Sequence, residues 1–407
     1  MTNSQAVARG PRARVILVLG ALIALGPLTI DMYLPALPEL GTELRAAPSM
    51  VQLTLTGTLI GLALGTLVIG PLSDALGRRK PVVLGISVHV AASLLCLVAP
   101  SIEVLGLLRV VQGMGGAAAS VVAFAVVRDL YEGHAAAVAM TRLMLVMGTA
   151  PVLAPSLGAA VLLAGSWRWV FAVLAGLGLV LIAVAHFLLP ETLDQARRRP
   201  LALRSVLGTY RGLLADTRFV VLAAVAALSM GVLFAYVGGS SFVLQDQFGL
   251  DEQQFGLVFA VGAVSQFGLS QFNPLLLRRM PPERVVFWAL SAGLFFAVVL
   301  LVVTTTGFGG LVGFLVPVIA LLTSVGFVLP NAPALALSRH GEAAGTASAL
   351  LSAAQFTTAA LVAPLVGVLG NDGPAMAATM VGGLVIAWVA LVAVNRAGAR
   401  RAELVTA

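Results

Sequence analysis

The chain has 407 residues, of which 59% are hydrophobic and only 10% charged, whereas a soluble domain carries roughly a quarter charged residues. Its formal net charge is +7, but the basic residues are placed as a topology signal, so no nucleic-acid partner is needed to explain them. With a single cysteine, Cys96, the chain forms no internal disulfide and offers no thiolate metal site, and neither metal nor cofactor is expected.

Apolar blocks of about twenty residues alternate with short polar loops, which predicts an all-α polytopic membrane protein. The basic N-terminus, "MTNSQAVARGPRAR", runs into an apolar stretch too long for a signal-peptide core, so that stretch is read as a retained first span. Twelve spans are predicted, at 15–37, 50–72, 81–99, 104–127, 136–163, 168–189, 218–242, 253–276, 285–304, 309–330, 342–368 and 374–395. The longest polar connection separates an N-terminal six-helix bundle (1–189) from a C-terminal one (218–407), with 190–217 as central linker. Arg78 and Arg79 after span 2 recur as Arg278 and Arg279 after span 8, which suggests a duplicated, pseudo-symmetric pair of halves. With the N-terminus placed in the cytoplasm, 21 of the 24 basic residues fall in cytoplasmic segments, and only Arg45 and Arg168 in outer loops. Both termini are therefore expected inside.

Span 1 ends in "GPLTIDMYLPALPEL" (26–40), which sets Asp31 in an apolar helix ahead of Pro35 and Pro38. After span 2 comes "GPLSDALGRRK" (70–80). There Gly70 and Gly77 permit close approach and a tight turn, while Asp74, Arg78 and Arg79 supply charges able to pair across a helix boundary. Span 4 contains "LLRVVQGMGGAAAS", with Arg109 and Gln112 one turn apart on the same face and Gly113, Gly115 and Gly116 open to a neighbouring helix. An arginine inside a span faces a cavity or a paired charge, or else snorkels to the nearer boundary. Asp31 precedes the outer Glu39 by eight residues, and Arg109 follows the outer Glu103 by six. At ~1.5 Å per residue both lie roughly 9–12 Å inside the outer boundary. They are the only formal charges clearly inside the spans, which makes them a candidate ion pair or proton-exchange site. Burial disfavours the charged form of a carboxyl and a neighbouring cation favours it, so a carboxyl between those influences can load and release a proton. The plainer alternative is that Asp31 caps or hydrates a frayed helix end.

Span 5, "MGTAPVLAPSLGAAV", carries Gly148, Pro151, Pro155 and Gly158 and reads as a kinkable, closely packed helix. Tyr236 in span 7, Asn331 after span 10 and Gln355 in span 11 either line a cavity or bond between helices. His89 and His186 have no second ligand at metal spacing and read as packing or interface residues; "SWRWVF" (166–171) reads as an outer-interface anchor. No nucleotide-binding or hydrolase motif is present, so pumping would draw on an ion gradient.

"GPLSDALGRRK" resembles the G-x-L-x-D-x-x-G-R-R-x signature of the major facilitator superfamily. The resemblance implies a conformational latch of Gly70, Asp74, Gly77, Arg78 and Arg79, with Asp129 at the end of span 4 as third charged member. The R-x-x-Q-G of span 4 resembles the superfamily motif whose arginine takes part in proton coupling, and A-P-x-x-G-A in span 5 is similar to a glycine-poor antiporter motif. Together with "TIDMYLPALPEL", "LPETL" and "AGTASALLSAAQ", these segments resemble the Bcr/CflA family of drug:proton antiporters, densely over 25–195 and thinly beyond. The resemblance implies export of small antibiotics of the chloramphenicol or bicyclomycin type in exchange for protons. Asp31, Arg109, Gln112 and Tyr33 become the candidates for coupling and cavity. The expected setting is a monomer in the lipid bilayer of the inner (plasma) membrane. The alternative is a proton-coupled exporter or importer of a small metabolite with the same fold; an enzyme would need a nucleophile, metal cluster or acid–base pair that Asp31 and Arg109 do not supply.

Overall fold

The computed structural model describes residues 13–198, 203–340 and 344–406. The N-terminal basic segment before Ala13 and Arg199 of the linker lie outside them. Twelve helices are long and apolar enough to cross a membrane. They are α1 (Ala13–Asp31), α2 (Pro48–Leu76), α3 (Arg79–Cys96), α4 (Ile102–Leu130), α5 (Gly133–Leu162), α6 (Arg168–Leu188), α7 (Thr217–Phe242), α8 (Glu252–Ser270), α9 (Pro282–Thr306), α10 (Gly310–Leu337), α11 (Ala344–Leu369) and α12 (Gly373–Thr406). The side chains that remain exposed include Leu107, Phe187, Phe295, Val312 and Leu361, as expected where lipid replaces water around the perimeter.

Several ends differ from the sequence expectation for identifiable reasons. α1 stops at Asp31, six residues early, because Pro35 lacks the N–H that would bond the Asp31 carbonyl and its ring collides with that carbonyl. The chain continues as a 3₁₀ turn, Leu34–Ala36, and a short helix, Leu37–Glu43. α2 runs on to Leu76, so Gly70 and Asp74 belong to a helix rather than a loop. α10 continues through Pro330 and Pro333 to Leu337, which puts Asn331 inside it. Much of the central linker folds as well, into a 3₁₀ turn at Gln195–Arg197 and a helix, Leu203–Ala215.

Helices α1 to α6 pack among themselves, as do α7 to α12; two seams, α2 on α11 and α5 on α8, join the groups. Advancing the helix numbers by six exchanges one seam for the other, which is the signature of a repeated half. Within the first group α2, α3 and α4 approach to backbone contact: a Cβ on Gly61 would sit 2.7 Å from the Met114 nitrogen, and one on Gly115 would sit 2.6 Å from that of His89. We call the end carrying the α6–α7 connection the linker end and the opposite one the distal end.

The distal end is sealed by polar contacts between the groups. The fully buried Gln52 donates from Nε2 to Asn371 Oδ1 (2.8 Å) and to the Gly238 carbonyl (3.3 Å), and its Oε1 accepts from the Gly367 N–H (2.9 Å). Thr56 donates to the Ala360 carbonyl, Ser241 to that of Leu34, and Gln245 to that of Pro35. At this end Trp167 is buried, donating to Glu43 at 2.6 Å, so the interface anchor of "SWRWVF" is Trp169, which is 55% exposed.

Candidate coupling centre and charged latch

Asp31, the last residue of α1, is 6% exposed. No hydrogen bond or ion pair within 4.0 Å reaches its carboxyl among the described residues. Arg109 of α4 is fully buried. Its Nη1 donates to the Thr29 carbonyl (3.1 Å) and to Gln112 Oε1 (2.6 Å). Its guanidinium carbon lies 4.6 Å from the centre of the Tyr33 ring and 5.6 Å from that of Phe171, while Nε and Nη2 have no hydrogen-bond partner among the described residues.

The expected side-by-side pair of Asp31 and Arg109 is therefore not the arrangement found. Because α1 ends at Asp31, the last-turn carbonyls lose their helical donors. A cation at that terminus is favoured by the helix dipole, and Arg109 serves it. The aromatic faces of Tyr33 and Phe171 supply the remaining attraction. The two charges do share a level, since Arg109 bonds the residue two before Asp31.

Gln112 is joined to two residues of α3, Ser93 and His89. Its Nε2 donates to Ser93 Oγ (2.7 Å), Ser93 Oγ donates to the His89 carbonyl (2.7 Å), and His89 Nδ1 lies 3.2 Å from the Gln112 carbonyl. Tyr33 is held by Thr54: Thr54 donates to the Val51 carbonyl (2.6 Å), which leaves its oxygen to accept from the Tyr33 hydroxyl (2.9 Å). A signal for Ser93 existed, since a hydroxyl amid an apolar span asks for a partner.

α5 stands between this centre and the second half. Gly158 packs on the Met32 backbone, where a Cβ would lie 2.8 Å from the carbonyl carbon, and Gly148 faces the Phe267 ring of α8. Pro155 is buried and Pro151 partly so. Across the seam, Tyr236 of α7 stacks on Phe259 of α8 (5.4 Å between centroids, 23° between planes), and Phe255 follows at 5.8 Å from Phe259. Among the described residues the Nε2 of Gln266, a residue 2% exposed, has no hydrogen-bond partner. Gln355 is half-buried in α11. Asn331 bonds to a neighbouring segment: its Nδ2 donates to Asn273 Oδ1 (2.7 Å) and, within α10, to the Phe327 carbonyl (2.8 Å).

At the linker end Arg78 binds two carboxylates. Its Nη1 meets Asp74 Oδ1 (2.6 Å) and Ser73 Oγ (2.9 Å), and Nε and Nη2 form a fork on Asp129 (2.7 and 3.2 Å). The Arg78 and Asp129 side chains are 7% and 9% exposed. Glu191, unforeseen as a member, caps α3 by accepting the backbone N–H groups of Arg78 (2.8 Å) and Arg79 (3.3 Å). Burial alone would raise its pKa, but the N–H donors of Arg78, Leu193 and Arg79 and the nearby Arg198 charge outweigh that and hold it below the usual carboxylate range. Thr192 donates to Asp129 (2.9 Å), and the Arg79 side chain to the His186 carbonyl. Gly77 has φ +92, and any Cβ there would strike Glu191. Gly70, by contrast, faces open space, so close approach does not explain it.

Two six-helix groups meeting on paired seams, with a buried charge cluster in one and an aromatic face in the other, make a membrane transporter. The chain belongs to the Major Facilitator Superfamily, which it matches over residues 19–364. It is 35% identical over 375 residues to the "Uncharacterized MFS-type transporter YdgK" of Bacillus subtilis (strain 168), covering 91% of this chain and 92% of that one. Identity to the "Bicyclomycin resistance protein homolog" of Haemophilus influenzae is 31%, over 88% and 89% of the two chains. The "Multidrug resistance protein MdtL" of Salmonella heidelberg is 30% identical over 96% and 98%. Within the superfamily the chain is Bcr/CflA-like, in agreement with its motifs. Among solved structures, a D-xylose-proton symporter superposes with a TM-score of 0.72 at 15% identity, over 92% of this chain and 97% of that one; this likeness concerns the fold alone.

Proposed function

We propose that this protein is a proton-coupled multidrug exporter of the inner membrane, working as a monomer with its basic linker end in the cytoplasm. The halves 1–189 and 218–407 rock about the two seams, and small antibiotics of the chloramphenicol or bicyclomycin type bind between them. The observation that carries this reading is a buried carboxyl, Asp31, with neither donor nor cation attached, at the level of a buried arginine, Arg109, that has two unpartnered nitrogens. Such a carboxyl can change protonation state without first breaking a hydrogen bond, and the arginine is free to take it as partner in another state of the cycle. The names of the relatives support the substrate class, and the placement of Lys and Arg supports the orientation.

The test has two arms. A pump-deleted host expressing the chain is screened for resistance across antibiotic classes; no protection against any class overturns the exporter reading. Asp31→Asn is then compared with wild type in proteoliposomes carrying an imposed pH gradient. The expected result is retained drug binding with gradient-driven accumulation abolished, and an Asn variant that still pumps uphill removes Asp31 from the coupling role.

A further inference from the structure

We propose that Ser93 is a positioning residue for Arg109: it locks the amide of Gln112 in the one orientation that holds the guanidinium against the end of α1. For proton coupling the proposal rests on the role given above to Arg109. For geometry it rests on the hydrogen bonds themselves.

The lock follows from counting protons. A serine hydroxyl has one hydrogen to donate. In Ser93 that hydrogen goes to the His89 carbonyl, one turn back on α3, at 2.7 Å. The face of Ser93 Oγ turned to α4 therefore offers only lone pairs, and Gln112 must present its NH₂ group there, at 2.7 Å. Its carbonyl oxygen is then obliged to face Arg109 Nη1, at 2.6 Å. A flipped amide would set NH₂ against the guanidinium, donor on donor, and oxygen against an oxygen whose proton is already committed. Close approach of α3 and α4 at Gly115 keeps the two residues within reach.

Arg109 depends on this amide more than a typical buried arginine would. Among the described residues Nε and Nη2 bond nothing, which leaves Nη1 as the anchored nitrogen. Of the two acceptors on Nη1, the Thr29 carbonyl is fixed by the backbone of α1 and the Gln112 oxygen by Ser93. Without Ser93 the amide can turn, and half of the anchorage goes with it.

The test reads the arginine directly and needs no transported substrate. The full chain, labelled with ¹⁵N-arginine, is placed in nanodiscs. The Arg109 Nε–H resonance is assigned by its loss in Arg109→Lys. Arg78, whose Nε–H is held by Asp129 at 2.7 Å, serves as internal standard for the fold. In Ser93→Ala the Arg109 resonance should move toward that of exposed arginines and exchange its hydrogen about tenfold faster, the scale of a lost bond to a charged group. Ser93→Thr, which keeps the hydroxyl, should restore both. Should Ser93→Ala also displace Arg78, the decision passes to Ser93→Cys, which keeps the volume but accepts weakly and should behave like the alanine variant. Wild-type shift and exchange at Arg109 in the fold-intact Ala or Cys variants overturns the proposal. If Arg109→Ala proves to pump normally, the coupling role falls, and these spectra still decide whether Ser93 positions the arginine.

Discussion

In the N-terminal half five buried residues form a connected polar cluster, running from Thr29 through Arg109, Gln112 and Ser93 to His89. The facing helices of the C-terminal half instead present Tyr236 stacked on Phe259, Phe255 beyond it, and a glutamine, Gln266, whose amide nitrogen bonds nothing. The linker ends repeat the contrast: Arg78 is clasped by Asp74 and Asp129 in one half, whereas a neutral pair, Asn273 with Asn331, closes the corresponding helices in the other. On the proposed function the difference divides labour. Directional, charged bonds suit a half that, on that proposal, registers a proton and holds a state. Flat aromatic faces give contact area without demanding matched donors, which suits ligands of varied chemistry.

The most severe way to break this comparison is at Arg109. Replacing it with alanine should reduce gradient-driven efflux about a hundredfold or more, since the Gln112 amide and the end of α1 lose their shared cation. Tyr236→Ala should alter which drugs are carried while leaving proton movement tied to transport. The measurement is luminal pH in proteoliposomes supplied with the antibiotic best resisted in the screen. Complete uncoupling by Tyr236→Ala would end the division between the halves.

The two latches offer a second, smaller effect. Arg78→Ala strands a buried Asp129, and losing one partner of such a pair costs about 3–5 kcal/mol. Asn331→Ala removes neutral bonds worth about 1 kcal/mol each. Thermal unfolding in detergent should therefore show a clearly larger loss for Arg78→Ala, and equal losses would mean the charged latch has no special standing. A third step down is Gln52→Ala, which removes three hydrogen bonds from the distal seal. Each neutral bond is worth about 1 kcal/mol, so the sealed state should lose about tenfold or more in population. The reporter is thiol labelling from the distal side of a cysteine placed at Thr56, Cys96 being buried.

Helix number was readable because lipid demands long uninterrupted apolar runs, and that demand is local in sequence. Packing is not local. Glu191 lies 113 positions from the N–H it caps, and no pattern within "PETL" announces that. The depth argument for Asp31 and Arg109 found the right level but supplied only one of three coordinates, so it could not see Arg109 turned to a carbonyl and two rings. Span 10 is expected to end at 330, yet α10 continues through Pro330 and Pro333 because bundled neighbours tolerate the missing donors. Pro35 did act as a terminator, and the position of its carbonyl clash, four residues back, was there to be read. Trp167 and Trp169 show the limit of composition: two tryptophans two residues apart, one sealed under Glu43 and one exposed.

The smallest expected effect sits where the second half begins and asks whether it uses charge at all. Asp216 caps α7, accepting the N–H groups of Arg218 (2.9 Å) and Phe219 (3.4 Å), and faces His340 Nε2 at 3.1 Å. Burial opposes ionisation, but those backbone donors and His340 outweigh it and depress its pKa. A depressed carboxyl contributes stability that is present above its unfolded value, 3.8, and is lost as pH falls through the lower folded value. At neutral pH, Asp216→Ala should cost about 1 kcal/mol, the usual worth of a cap. Asp216→Asn, which caps nearly as well without a charge, should cost a few tenths. Melting curves of the two variants at pH 7 separate the roles: if asparagine is as damaging as alanine, the His340 contact rather than the cap is what α7 depends on, and the C-terminal half holds an ionic element of its own.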